Sequence, residues 1–295
     1  MTESWEYNQE PEQTAEQKSD WVLDALKESE IDPAKEVNKP QIIFSIREAG
    51  GMQFDFRRVF TLGNFSAIIG KAKSKKTYLL SAIAACIIGK RLMWDKFQGG
   101  MEEGKDLVIY IDTEQGDWDS WNVIHRIALM AGSSYKDKFK AFNLRRFSPL
   151  ERCQIVEFAL MMYGDEAGFV VIDGIADLAT GINDEEEASR VSSLLLRWTK
   201  DYNCHIATVI HQNKNDNFAT GHLGSAIMKK CEIIISVTKD TTDNYKSTVE
   251  CNMSRGIDFK PFSLVINREG LPEIDNVVIQ VNENDFERIN DDLPF

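Results

Sequence analysis

Phe65-Ser66-Ala67-Ile68-Ile69-Gly70-Lys71-Ala72-Lys73-Ser74-Lys75-Lys76-Thr77 decides the fold. A short apolar run ends in Gly70, and an apolar helical pattern, Lys76 to Ile88, follows the lysine-rich turn and stops at Gly89. A strand, a glycine-led loop and a helix are the setting in which G-x-x-x-x-G-K-[ST] forms a phosphate loop. Its backbone N–H groups wrap the phosphates, its lysine reaches the terminal ones and its hydroxyl binds magnesium. Gly70, Lys76 and Thr77 fit that pattern, and Lys75 stands where the second glycine belongs. That glycine lets the backbone approach a phosphate with no side chain in the way, so Lys75 is expected to point outward or the loop to differ locally. Gly70, Lys71, Ala72, Lys73, Ser74, Lys75, Lys76 and Thr77 are thus the candidate nucleotide contacts. The plainer reading is a lysine-rich surface turn.

Working outward, the same strand–loop–helix rhythm repeats. Strands are expected at Leu107–Ile111, Ala141–Leu144, Phe169–Ile172 and His205–Ile210, and helices at Asp117–Ala131 and Asp184–Tyr202. Ser148-Pro149-Leu150-Glu151 has the form of a capping box with proline at the first helical position, opening a helix to about Tyr163. Such alternation implies a parallel sheet covered by helices, an α/β class. Before it lie two extended stretches, Gln41–Ile46 and Gln53–Leu62, around a turn at Gly50-Gly51. After Cys231 the pattern changes to strands and hairpins at Glu232–Val237, Ser247–Asn252 and Phe262–Ile266. The domain reading is an acidic mobile arm over 1–40, one ATPase-type core over 41–272 and an acidic tail over 273–295. Within the arm, Trp21, Val22, Ala25 and Leu26 recur at helical spacing over Trp21–Glu30.

Composition narrows the function classes. The formal net charge of −13 repels phosphate backbones, so coating of DNA by charge alone is not expected, although basic groups lining a channel remain open. No apolar run is long enough to span a bilayer, and the polar, acidic start is unlike a secretion leader. The five cysteines are scattered without a CxxC pair or Cys/His cluster, which fits reduced thiols and a cytoplasmic location.

Three further segments carry acids or polar groups at strand ends, where parallel sheets bind ligands. In Val108-Ile109-Tyr110-Ile111-Asp112-Thr113-Glu114-Gln115, Glu114 could align and deprotonate an attacking water, or be a solvated acid or helix cap. Phe169-Val170-Val171-Ile172-Asp173 ends in an acid suited to hold hydrated magnesium. Val209-Ile210-His211-Gln212-Asn213-Lys214 could sense a terminal phosphate through His211 or Gln212, or be an ordinary turn.

Together, IIGKAKSKKT, VIYIDTEQ, VVIDGIADL, VIHQNK and TGHLGS resemble the RecA-like P-loop ATPases, and within them the hexameric replicative-helicase branch that includes DnaB and plasmid RepA. The resemblance runs from about Phe44 to Pro272. It implies ATP and Mg2+ as cofactors, with Lys76 and Thr77 on phosphate and metal and Asp173 as the second metal-site residue. It also implies Glu114 as base, His211 and Gln212 as sensor, and Arg255 as a finger reaching a neighbouring subunit in a homo-oligomer, a hexamer in that branch. In that branch the loops near Gly174–Ala188 and Asn213–Gly221 face single-stranded DNA. Three departures stand out: Lys75 for glycine, Met253 where a second basic finger often sits, and Asp184-Glu185-Glu186-Glu187 in a DNA-facing loop.

Trp118 and Trp121 flank the Glu114 loop at helical spacing, and core or interface packing is the expectation over stacking on a base. His125, His205 and His222 are read as structural, the basic stretch Lys136–Arg146 as a solvated face, and no arginine within reach of the phosphate loop in sequence is there to neutralise charge on a γ-phosphate. Three functions follow: an oligomeric motor on single-stranded DNA in replication of a mobile element or phage, an ATPase switch acting on a protein partner, and a chain that has lost nucleotide turnover.

Overall fold

The computed structural model describes residues 15–50, 53–212 and 219–275. The chain divides into Met1–Lys39 and Pro40–Phe295. In the first unit the described residues form one helix, α1 (Ala15–Ser29), which begins ahead of the Trp21–Glu30 pattern.

The second unit runs β1 (Ile42–Gly50), β2 (Gln53–Thr61), β3 (Phe65–Gly70), α2 (Lys76–Gly89), β4 (Leu92–Met93), β5 (Phe97–Gly99) and β6 (Leu107–Asp112). It continues with α3 (Asp117–Ala131), β7 (Phe139–Asn143), α4 (Pro149–Tyr163), β8 (Ala167–Asp173), α5 (Glu185–Asp201), β9 (His205–His211) and α6 (Gly221–Lys230). It ends in β10 (Ile233–Lys239), β11 (Lys246–Ser254), β12 (Phe262–Ile266) and β13 (Pro272–Asp275). The main sheet has the order β13-β12-β11-β10-β3-β9-β8-β6-β7. From β10 to β7 every pairing is parallel, and β10 to β13 form an antiparallel run, the C-terminal hairpins. A smaller antiparallel sheet, β2-β1-β5-β4, completes the α/β fold.

Helices on both faces bury the central strands, which is why β3, β6 and β8 are buried along their whole length and read as continuous apolar runs. α2 is buried on nearly every side, from Leu79 to Ile88, so its pattern shows no polar face. Two helix starts are set locally. Ser148 and Glu151 form the reciprocal cap of α4. Asp184 caps α5, accepting from Glu186 and Glu187 N–H, with Glu185, Glu186 and Glu187 in the first turn. Acids there complement the helix dipole, so the acidic run has a structural cause.

Four elements had no clear sequence signal: β4, β5, α6 and β13. β4 and β5 span two and three residues, too short for periodicity. β13 carries pairing to Asp275, so the expected tail over 273–295 begins inside the sheet, and residues 276–295 lie outside the described residues.

Core packing also explains one histidine. His205 is buried, its Nδ1 2.8 Å from Thr61 O and its Nε2 2.9 Å from Ser66 Oγ, with its ring stacked 4.4 Å from Phe60. Burial pushes its pKa down to about 3. An unfolded histidine titrates near 6.5, so below that pH the unfolded chain takes up a proton that the folded chain refuses, and stability falls as pH drops toward 3. His205→Gln should be less stable than the parent at pH 8. Between pH 6.5 and 5 the gap should close by up to about 1.4 kcal/mol per pH unit. Urea unfolding at several pH values measures it, and parallel stability curves for the two proteins would refute the assignment.

Candidate nucleotide site

Strand register assembles the site. β9 lies between β3 and β8, with Gly70 opposite His211, Val209 opposite Asp173, and Asp173 opposite Asp112 on β6. The C-terminal ends of four adjacent strands therefore bring the phosphate loop, His211, Asp173 and the Glu114 loop to one edge.

The loop itself departs from the glycine pattern without losing its shape. A Cβ at Gly70 would collide with the Val237 carbonyl oxygen and the Ser74 hydroxyl, so no other residue fits there. Lys75 takes the left-handed conformation, φ 72 and ψ 27, that glycine adopts cheaply. Its carbonyl accepts from Tyr78 and Leu79 N–H at 3.1 and 3.2 Å, starting α2. Its side chain turns toward β11, with Nζ 3.4 Å from Lys246 O and 3.5 Å from Ser247 Oγ. Ser247 in turn donates to Ser74 O at 3.1 Å, so β11 supports the loop. Lys76 folds back over the loop, donating to Gly70 O at 2.9 Å and Lys71 O at 3.0 Å. Burial lowers its pKa, while Asp173 and then Glu114 act to raise it.

Asp173 is buried and shared. Its Oδ2 accepts from Thr77 Oγ1 at 3.0 Å and from the Tyr110 hydroxyl at 2.7 Å. Burial pushes its pKa up to about 6, against the pull of the Tyr110 hydrogen bond. Asp112 fixes the neighbouring loop: its Oδ1 accepts from Glu114 and Gln115 N–H at 3.0 and 2.9 Å, and its Oδ2 is buried without a partner. Thr113 Oγ1 lies 2.9 Å from Gly174 O, where a Cβ on Gly174 would collide with it.

Glu114 is half exposed, with its Oε1 3.3 Å from His211 Nε2, and that hydrogen bond holds its carboxyl below the usual range. Gln212 N–H donates to Gly70 O at 3.1 Å, tying the end of β9 to the phosphate loop. Loop residues 213–218, part of the Asn213–Gly221 stretch, lie outside the described residues.

Arg255 is elsewhere. β11 runs antiparallel to β10, so Ser254 pairs with Ile233 at the start of β10, the opposite end of the sheet from Gly70. Arg255 N–H donates to Glu232 O at 2.9 Å and its Nη2 to Lys230 O at 2.7 Å. The chain's own cleft does not include it.

The cleft over the loop is about 800 Å3, roomy enough for a nucleotide, and α3 lines its far side through Asp119, Asn122, His125 and Arg126. Arg126 supplies an arginine that sequence distance hides: 48 to 50 residues of chain separate it from Lys76 and Tyr78, but α3 packs on α2. Core packing of Trp118 and Trp121 is corrected. Both are exposed, at 71% and 51%, and stack in a column with ring centroids 5.3 Å apart, extended by His125 at 4.6 Å from Trp121.

Sequence reasoning passed over Tyr110, Asp112 and Arg126. Tyr110 and Asp112 are two residues apart on one strand and so share a face. A lone tyrosine among aliphatic residues was the available signal; Arg126 had none.

The residues fit ATP and magnesium. Among the described residues no cluster of three His, Cys, Asp or Glu could hold a metal, yet Thr77 and Asp173 are paired at 3.0 Å beside the loop. Magnesium bound through one carboxylate together with substrate phosphates matches that donor set. When bound it neutralises charge developing on the phosphates.

The family model described as AAA domain matches residues 56–217, more than half of the chain, and the chain belongs to that family. It is a RecA-like P-loop ATPase family, which agrees with the mixed, mostly parallel sheet and implies nucleotide triphosphatase activity with ATP and Mg2+. No curated protein matches the chain.

Two substitutions test the loop register. Lys76→Ala should abolish measurable ATP binding by calorimetry. Lys75→Gly should keep binding and raise stability by about 1 kcal/mol, because glycine adopts positive φ without a steric penalty. Loss of binding in Lys75→Gly with retention in Lys76→Ala would reverse the register.

Proposed function

We propose that the protein is an oligomeric ATP-driven motor on single-stranded DNA, with each site completed by a neighbouring copy. One observation supports the reading: Arg255 stands at the end of the sheet opposite the phosphate loop, so any nucleotide contact it makes is to a site on another subunit. An arginine is suited to that task because its guanidinium is always charged and forks onto two phosphate oxygens. Lys76 and Thr77 hold the terminal phosphates and the metal site with Asp173. In the free protein His211 holds Glu114. A γ-phosphate competes for His211, and Glu114 is then free to orient and deprotonate water. Gln212, tied to Gly70 just past the end of β9, passes the change to the residues that follow.

A second reading, a switch acting on a protein partner, is favoured by the net charge of −13 and by the exposed acids Glu185 and Glu186 in the first turn of α5, within a stretch that the motor would need for DNA. Among the described residues no helix is long and apolar enough to cross a membrane.

ATP turnover with and without single-stranded DNA separates these readings. The motor predicts stimulation of about tenfold or more. Turnover indifferent to DNA removes the motor and leaves the switch.

Mixing tests the shared site. Arg255→Ala should lose about 10³-fold in turnover, the worth of an arginine finger in nucleotide hydrolases, and Lys76→Ala, which binds no ATP, should be inactive. Mixed together they should regain activity, because some interfaces then pair an intact loop with an intact finger. Full activity of Arg255→Ala alone, or activity of a demonstrated monomer, is incompatible with the trans role.

A further inference from the structure

Arg126 has no task in the scheme above, yet its setting is that of a ligand contact. Its guanidinium carbon lies 3.8 Å from the centroid of the Tyr78 ring, and its Nη1 donates to Ser81 Oγ at 3.3 Å. Tyr78 and Ser81 belong to the first turns of α2, the helix into which the phosphate loop opens. Arg126 and Tyr78 line the same cleft as Lys76 and Asp173.

Charge is the second observation. Arg126 is partly buried, and among the described residues no carboxylate forms an ion pair with it, in contrast to Arg58, Arg152 and Arg190. Burial lowers its pKa, opposed only by the phenols of Tyr78 and Tyr110. A guanidinium withdrawn from water without an anion is costly. It carries five N–H donors, and the contact to Ser81 engages one nitrogen. The aromatic face supports a cation but does not replace a counter-ion.

We propose that Arg126 supplies an anion contact to the bound nucleotide from within the same chain, donating to the phosphate nearest the nucleoside, with Tyr78 as the rest that orients its guanidinium. The choice of phosphate follows from the order of groups along the cleft. Asp173 and Glu114, which mark the terminal-phosphate end, act on Lys76. Arg126 stands beyond Thr77, against Tyr78 and Ser81 one turn further along α2. The inference rests on the reading of this cleft as a nucleotide site, and assigns a residue within it that the motif does not include.

ADP and ATP share the phosphate in question, which gives the test its discrimination. Calorimetric titration of ATP and ADP should show both weakened by a similar factor, about 10- to 100-fold, in Arg126→Gln, the loss of one charge-assisted contact. Arg126→Lys should fall between, keeping the charge but not the planar fork. Unchanged affinities, or a loss confined to ATP, would overturn the assignment; the latter would move Arg126 to the terminal phosphate. Should Arg126→Gln fail to fold, the parent protein answers directly. ADP should shield Arg126 from phenylglyoxal, read by peptide mass spectrometry, and equal labelling with and without ADP overturns the proposal. A parent protein that binds neither nucleotide removes the site reading and this inference together. A parent that binds both, with Arg126→Gln unchanged, removes only this inference.

Discussion

The carboxylate of Asp173 ties the sheet to the helix that carries the phosphate loop. It lies buried at the end of β8, taking hydrogen bonds from Thr77 at the start of α2 and from Tyr110 on β6. A buried acid without donors would cost several kcal/mol. Its cost is met here by two hydroxyls from two different elements, so those elements cannot shift independently. Thr77 is thereby held in place beside the phosphate loop, and Tyr110 is fixed as a buried strut. Asp112 performs a related task one strand over, clamping the backbone of Glu114 and Gln115.

The phosphate loop shows which property of its missing glycine matters. A glycine at Lys75 would supply both a left-handed backbone and the absence of a side chain. The protein keeps the backbone, at a strain of about 1 kcal/mol, and sends the side chain toward β11, where Lys246 O and Ser247 Oγ receive it. That solution requires β11 to stand beside the loop, which the antiparallel extension of the sheet past β10 provides. Gly70 has no such escape, since the Val237 carbonyl on β10 occupies the space a Cβ would need. One glycine is replaceable because its neighbours can accept a side chain; the other is held by backbone contact.

The distribution of charge is as informative as its sum. An acidic chain concentrates Lys71, Lys73, Lys75 and Lys76 in one loop and sets Arg126 across the cleft, so the loop is cationic within an anionic molecule, while Glu114, Asp119, Asp173 and Glu269 also line the cleft. Part of the acidic excess serves local structure: Asp184 and the three glutamates after it start α5. Acid at that helix end stabilises it by the dipole interaction.

Sequence alone determined the α/β class, the phosphate loop and most of the helices and strands. Those features arise from short-range causes: apolar runs buried between two helix layers, the Ser148–Glu151 cap, and a loop motif whose residues are contiguous. Sequence order also placed Glu114, Asp173 and His211 at strand ends. It could not say that β9 inserts between β3 and β8, which is what brings His211 to within 3.3 Å of Glu114. Only the tertiary structure decided where Arg126 and Arg255 stand, one across the cleft from Lys76 and the other at the far end of the sheet. Both positions depend on helix and strand pairings between residues distant in the chain, and no local propensity encodes such pairings.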